Sequence, residues 1–365
     1  MEYFVPYLKD GILSPWPIST VILVAAGVGA GILLAWVAVV ALVAVWAERK
    51  ISAQMQARLG PMYVGKYHGC LQTVADGIKL FVKEDIIPAL ADKWLFIQAP
   101  VLVFGGAFLA YAAVPFGPKL VVSDLNIGVF YILAVSAIVA IGIIMAGWAS
   151  HNKWSLYGGM RTAAQFLSYE IPSALHLMPV IMCAGTLNLG GIVKAQETGM
   201  FGWGGIFGWY LFQNPFLFLS FICYYISSLA ETNRTPFDLP ETESELVAGF
   251  HTEYTGMRFS FFFMAEYADV FVVSALITLL YCGGWNCALP WDFGILPDSA
   301  VSVLQPIIFV LKCSFFIFLT IWLRWTLPRF RIDQLMAVCW KFLIPIGLLN
   351  IVGSGLWMYI FGQVK

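Results

Sequence analysis

The sequence predicts an all-α polytopic membrane protein, with about eight transmembrane helices and one interfacial amphipathic helix in a single bundle over residues 1–365. Three observations carry this. Hydrophobic residues make up 60% of the chain and charged ones only 11%, against roughly 25% charged in an ordinary soluble domain. The apolar residues fall in runs of about 20, the length that crosses a ~30 Å hydrocarbon core. Lys and Arg gather in alternate connecting segments, the asymmetry of the positive-inside rule.

The first apolar run, 20–46, is too long for the apolar stretch of a signal peptide and lacks a basic flank before it, so it reads as a retained span. Gly27, Gly29 and Gly31 within it resemble a nucleotide-binding glycine cluster, but no strand precedes them. Close helix packing is the expected use of such residues in a membrane. From Leu71 the apolar positions Val74, Ala75, Ile78, Phe81 and Val82 follow helical spacing, with Gln72, Thr73, Asp76, Lys79 and Lys83 on the opposite side. This predicts an amphipathic helix over 70–87, lying in the membrane interface or packed on a partner. Further spans are expected at 94–115, 127–149, 163–188, 209–230, 259–282, 301–323 and 342–361.

An even number of spans puts both termini on one side. Of the 20 basic residues, 15 lie in the segments after spans one, three, five and seven, whereas Lys9, Lys119, Lys194 and Lys365 lie opposite and Lys312 lies within a span. Both termini are therefore expected on the outer side, the periplasmic side if the membrane is a bacterial inner (plasma) membrane. The net charge of −1 argues against nucleic acid, which demands a basic face. Seven cysteines without a CxxC pair and four scattered histidines give no signal for an iron–sulfur cluster, a zinc site or haem, and no redox centre is expected in this chain.

A charge inside the bilayer costs about 2.5–3.5 kcal/mol or more, so each one is a functional candidate. Glu48 closes the first span, Glu170 and His176 lie in the fourth, Glu266 and Asp269 in the sixth, and Lys312 in the seventh. Glu266 and Asp269 share a helix face, where two carboxylates repel and one tends to hold a proton. Lys312 and interior water are the alternative, purely structural partners. Between 231 and 253, six acids (Glu231, Asp238, Glu241, Glu243, Glu245, Glu253) meet one base, Arg234, which is not the usual composition of an inner segment. Their interleaving with Pro236, Phe237, Leu239, Pro240, Leu246 and Val247 suggests an ordered segment whose carboxylates turn into a cavity. Arg49, Lys50, Arg58, Arg161, Arg324, Arg329 and Arg331 are basic counterparts in other inner segments.

These residues form strings that resemble one family. Glu48-Arg49-Lys50, Arg58-Leu59-Gly60-Pro61, Leu71-Gln72 with Ala75-Asp76-Gly77, and Lys83-Glu84 resemble the first inner segment of the H-type membrane subunit of respiratory complex I, the mitochondrial NADH dehydrogenase subunit 1. Gly158-Gly159-Met160-Arg161 through Ala164-Gln165 to Ser168-Tyr169-Glu170, then Ala230-Glu231-Thr232-Asn233-Arg234-Thr235-Pro236-Phe237-Asp238-Leu239, follow in the family's order. Glu243-Ser244-Glu245-Leu246-Val247 with Glu253-Tyr254, Ala265-Glu266-Tyr267, and Pro328-Arg329-Phe330-Arg331 with Asp333-Gln334-Leu335-Met336 complete it.

The resemblance covers about residues 20–360. It implies a subunit of proton-translocating NADH:quinone oxidoreductase, without flavin, haem or iron–sulfur cluster of its own, whose substrate is ubiquinone or menaquinone. It implies that Arg49, Arg58, Arg161, Phe237 and Asp238 belong to the quinone chamber. For proton coupling it implies Glu48, Glu170, Glu231, Arg234, Glu241, Glu243, Glu245, Glu253 and Glu266. The implied partners are membrane lipid, a peripheral quinone module carrying the terminal iron–sulfur cluster, and antiporter-like membrane subunits. Asp269 and Lys312 fall outside the matched strings. Two rivals are a related membrane subunit of an ion-translocating hydrogenase and a stand-alone proton-coupled carrier, for which Pro172 and Pro179 would supply the broken helix.

Overall fold

In a computed structural model, residues 18–66, 68–198, 205–239, 243–287 and 298–361 are described, and among them there are helices and connecting turns but no strand. Among the described residues, seven helices are long and apolar enough to cross a membrane: α1 (Ile18–Met55), α3 (Lys93–Ala110), α4 (Gly128–Ala149), α5 (Lys153–Ala184), α8 (Gly256–Tyr281), α9 (Asp298–Thr326) and α10 (Ile332–Ile360). Between them lie α2 (Gln72–Val82), α6 (Leu189–Thr198) and α7 (Pro215–Glu231). The chain is a multi-pass, all-α membrane protein.

Several boundaries differ from the sequence expectation for identifiable reasons. The span expected over 209–230 is divided at Asn214, whose side chain accepts the Phe216 amide (2.9 Å) and caps a new helix with Pro215 in its first turn. The four-residue turn Tyr210–Gln213 precedes it, and the 17 residues of α7 reach about 25 Å at 1.5 Å per residue. α5 begins ten residues earlier than expected, where Asn152 caps it through the Trp154 amide (3.0 Å), and it ends at Gly185, whose φ of +67° suits the left-handed helix stop. α10 also starts early, as a helix at Ile332–Val338 that widens into a π turn over Cys339–Leu343 before Ile344–Ile360.

α8 is the centre of the bundle. Its apolar window is 72% buried, against 22% for α1, and it packs on α1, α2, α3, α7 and α9. α3 and α4 approach closely because their glycines and valines are reciprocal. A methyl on Gly106 would meet Val139 at 2.8 Å, and one on Gly142 would meet Val103 at 2.6 Å. The glycines of α1 do not behave this way. Nothing lies within 4 Å of a methyl built on Gly27 or Gly31, and Gly29 reaches only Val122 at 4.0 Å, so the close packing expected from the sequence is absent within this chain. The N-terminal half of α1 instead borders an apolar groove of about 800 Å³ shared with residues 116–122 and α9.

The basic ends of the helices gather on one face of the bundle, called here the basic face. α2 lies there against α1 and α8, with Val74, Ile78, Phe81 and Val82 exposed and Asp76 paired with Arg49 of α1. On the opposite face Lys312 holds the end of α8 closed. Its ammonium donates to the carbonyls of Cys282 (2.7 Å), Gly284 (3.0 Å) and Asn286 (2.7 Å) and lies 4.2 Å from the Trp209 ring centroid. It therefore partners backbone, not the Glu266–Asp269 pair. Lys312→Met is expected to strand these acceptors at a cost of about 1–3 kcal/mol, read as a lower unfolding temperature of the detergent-purified protein with α8 fraying first by hydrogen exchange.

Candidate functional site: a buried ion-pair cluster and an acidic cavity

Glu48 and Arg234 are only 7% and 3% exposed. Burying such groups is tolerable only if they are paired and hydrogen-bonded, and they are. Arg234 bridges Glu48 of α1 (Nη1 to Oε2, 3.3 Å) and Glu266 of α8 (Nη2 to Oε1, 3.2 Å). The Tyr267 hydroxyl donates to Glu48 at 2.6 Å, the Arg324 guanidinium of α9 takes its other oxygen, and the Arg234 guanidinium lies 4.4 Å from the Tyr267 ring centroid. Burial by itself would weaken the hold of Arg234 on its proton, but Glu266 and then Glu48 outweigh it and keep that hold tighter than usual. The cluster thus ties α1, α8, α9 and the segment after α7 through two acids and two permanent cations.

That segment is held rigidly. The Gln165 side-chain amide donates to the carbonyls of Ala230 (2.7 Å) and Phe237 (2.9 Å), and Phe330 N donates to Pro236 O at 3.0 Å. Phe237 sits between the rings of Tyr169 and Phe330, with centroids 5.6 and 5.7 Å away. Asp238 is buried beside it and pairs with Arg329 at 3.1 Å.

Next to the ion pairs lies an acidic cavity. A space of about 30 Å³ is lined by Glu231, Asn233, His251, Glu266 and Asp269, with apolar walls from α3, α4 and α8. A second, of about 50 Å³, shares Glu231, Thr232 and Asp269 and adds Ser136 and Tyr224. One water needs roughly 10–15 Å³ on this measure, so the two spaces admit a few waters each and no organic ligand. The arrangement can hold and exchange protons among Glu231, Asp269 and Glu266 through water, beside a fixed guanidinium.

The other sequence candidates are distributed along the basic face. Arg161 pairs with exposed Glu245 at 2.6 Å, and Glu253 accepts from the Asn152 side chain at 2.6 Å. Arg49 reaches Asp76, and Arg58 donates to Gln56 at 2.6 Å. Glu243 opens the short helix Glu243–Leu246, while Glu241 lies outside the described residues. The acids of 231–253 therefore do not converge on one cavity: among those whose side chains are described, Glu231 lines it, whereas Asp238, Glu245 and Glu253 each take a separate partner. Sequence reasoning did not single out Tyr267 or His251, and it named Arg324 only as one of several basic counterparts to the acidic segment. For Arg324 the signal was weak, since a basic residue at an inner helix end is expected anyway.

A scan against known families matches the NADH dehydrogenase family over residues 28–355. The chain belongs to the NADH dehydrogenase family. Curated relatives support this along the whole bundle. The chain is 51% identical over 332 residues to the H subunit of NADH-quinone oxidoreductase from Chlorobaculum parvum, covering 90% of this chain and 91% of that protein. The same subunit of Chlorobium luteolum is 47% identical over 363 residues (97% and 96% covered), and that of Bacillus mycoides 49% over 315 (86% and 88%). Family membership thus covers α1 to α10, including every residue of the ion-pair cluster.

Proposed function

We propose that this chain is the quinone-chamber membrane subunit of a proton-translocating NADH:quinone oxidoreductase, set in a bacterial inner membrane with both termini on the periplasmic side. The observation that carries this reading is the buried Glu48–Arg234–Glu266–Arg324 cluster. It joins the rigid 232–239 segment on the basic face to the acidic cavity in the bundle. A protein that only conducted a solute would have no need of such a link.

In this reading the basic face receives the peripheral module whose terminal iron–sulfur cluster supplies electrons, and ubiquinone or menaquinone is the substrate. Its isoprenoid tail enters from lipid where α1, α2 and α8 meet, next to the exposed apolar side of α2. Arg49, Arg58 and Arg161 steady the chamber, with Phe237 and Asp238 beneath it. Reduction places negative charge near this face in a low dielectric. One unit of pKa change at a carboxylate corresponds to about 1.36 kcal/mol, enough to redistribute protons between nearly matched acids. Arg234, held by two carboxylates, is the element through which a change at the 232–239 segment reaches Glu266, then Asp269 and Glu231. Glu241, Glu243 and Glu245, with Glu231, sense the quinone chemistry, and Glu170, Glu253 and Glu266 continue the acidic path toward antiporter-like partners.

The test is to isolate the assembly that contains this chain from its native membrane, reconstitute it, and compare wild type with Glu231→Gln. Expected is a large assembly in which NADH-driven quinone reduction persists in the variant while proton translocation falls sharply. Recovery of a lone chain, or of an assembly indifferent to quinone, overturns the reading and brings the carrier or the hydrogenase relative forward.

A further inference from the structure

Beyond the acidic cavity, three polar side chains sit in the core where α5, α7 and α10 meet, and no step above uses them. Ser173, His176 and Asn350 are all 0% exposed. His176 Nδ1 lies 2.6 Å from the carbonyl oxygen of Pro172. A carbonyl only accepts, so Nδ1 carries the proton and Nε2 is left as a bare acceptor. Nε2 has no protein partner among the described residues, and neither the oxygen nor the nitrogen of the Asn350 amide has one. Buried polar atoms of this kind are rare, and bound water is their usual complement.

The helices that carry His176 and Asn350 pack on one another. α5 and α10 run parallel, with Cys339 Sγ 2.9 Å from Ser168 O, and a methyl built on Gly347 would meet Leu175 Cβ at 3.1 Å and His176 Cε1 at 3.2 Å. Asn350 lies one turn beyond Gly347 on the same buried side of α10. Pro179 has no amide hydrogen, which deprives the Leu175 carbonyl of its helical donor. A water bound there would have complementary partners, donating to His176 Nε2 and to the Leu175 carbonyl and accepting from Asn350 Nδ2.

The same group connects back to the acids. Glu170, Ser173 and His176 are spaced three apart and form one stripe along α5, and Ser173 faces Glu231 without full hydrogen-bond geometry. A parallel set of hydroxyls runs beside it. Tyr224, which lines the second cavity, packs on Tyr281 with centroids 6.0 Å apart, and the hydroxyls of Tyr281 (2.8 Å) and Ser220 (2.5 Å) both donate to His176 O.

We propose that His176 and Asn350 bind ordered water that extends the Glu231 cavity along α5, through Ser173, toward the face opposite the basic one, giving the carboxylates a second proton branch within this chain. This rests on the proton-coupling reading above. The branch works as a file: protons pass from water to water, while His176 stays neutral, its Nε2 accepting a hydrogen bond from the water and its Nδ1–H donating to Pro172 O.

The experiment uses the reconstituted complete assembly with Asn350→Leu, Asn350→Ser and Glu231→Gln, together with electron-microscopy density at a resolution that shows water. Expected are a density peak within hydrogen-bonding reach of both His176 Nε2 and Asn350, loss of most proton translocation in Asn350→Leu with quinone reduction kept, and coupled activity retained in Asn350→Ser, which leaves a hydroxyl and room for water. A dry contact overturns the proposal. So does an Asn350→Leu assembly that pumps as wild type and unfolds at a higher temperature, as removal of unpaired polar atoms from a dry core would give. If Asn350→Leu fails to assemble, the density and the serine variant decide. If Glu231→Gln also pumps normally, the coupling reading itself falls, and the density alone decides the water site.

Discussion

Arg234→Gln is expected to cost about 3–5 kcal/mol, the usual penalty for removing one partner of a buried ion pair. The loss is large because Glu48 is 7% exposed and loses one of its two cations, while Glu266 loses the guanidinium that pairs with it. The protein should unfold at a lower temperature in detergent and assemble poorly on native gels. Combining Arg234→Met with Glu266→Gln should recover a substantial part of the stability, since the double variant leaves Arg324 and Tyr267 on Glu48 and strands no charge. Equal instability in the single and double variants would mean that Arg234 matters through packing on Tyr267 and not through its charge. Quinone-dependent proton translocation should remain absent in the stabilised double variant, which separates folding from coupling.

The second large effect is expected from one methyl group. A side chain on Gly158 of α5 would land 2.7 Å from Gly249 Cα and 2.8 Å from Phe250 N, backbone atoms that have no rotamer to escape into. Gly158→Ala is therefore expected to destabilise by about 1–3 kcal/mol, as overpacking of a filled core does, and to push out the turn that carries His251 into the acidic cavity. Thermal unfolding and limited proteolysis across 243–253 would both report it. Gly31→Ala is the matched control. A methyl there meets nothing, so the gain in helix propensity of up to about 1 kcal/mol should appear as unchanged or slightly raised stability. The same substitution should thus have opposite signs on α5 and α1.

How far the sequence reaches can be read from these residues. Helices α3, α4 and α8 were legible because long apolar runs with polar ends have one physical solution in a bilayer. The split at Asn214–Pro215 was less so: a capping side chain followed by proline looks the same at a helix start and in a kinked span. Glu48, Glu266 and Arg234 stood out individually, because charge in an apolar setting is costly wherever it occurs. Their grouping did not. Glu48 and Arg324 are 276 residues apart, and no local periodicity encodes which inner base meets which inner acid. Lys312 shows the converse, where the alternative of an ion pair with the membrane carboxylates gave way to three backbone carbonyls at a helix end. The glycines of α1 misled for a related reason, since small residues permit close approach without requiring it.

The cluster also sets a condition on how the chain enters the membrane. Glu48 leaves the ribosome 186 residues ahead of Arg234 and 276 ahead of Arg324. At ~5–20 residues per second of synthesis, the first of those cations arrives roughly 10–40 s later. Through that interval α1 carries an uncompensated acid, and its position near the end of the helix allows it to rest at the water boundary while the later segments are laid in. Closing of the bundle is therefore post-insertional. Chains released before residue 234 would contain every apolar feature of α1 to α5 yet lack the counter-charges that tie Glu48 to the later segments.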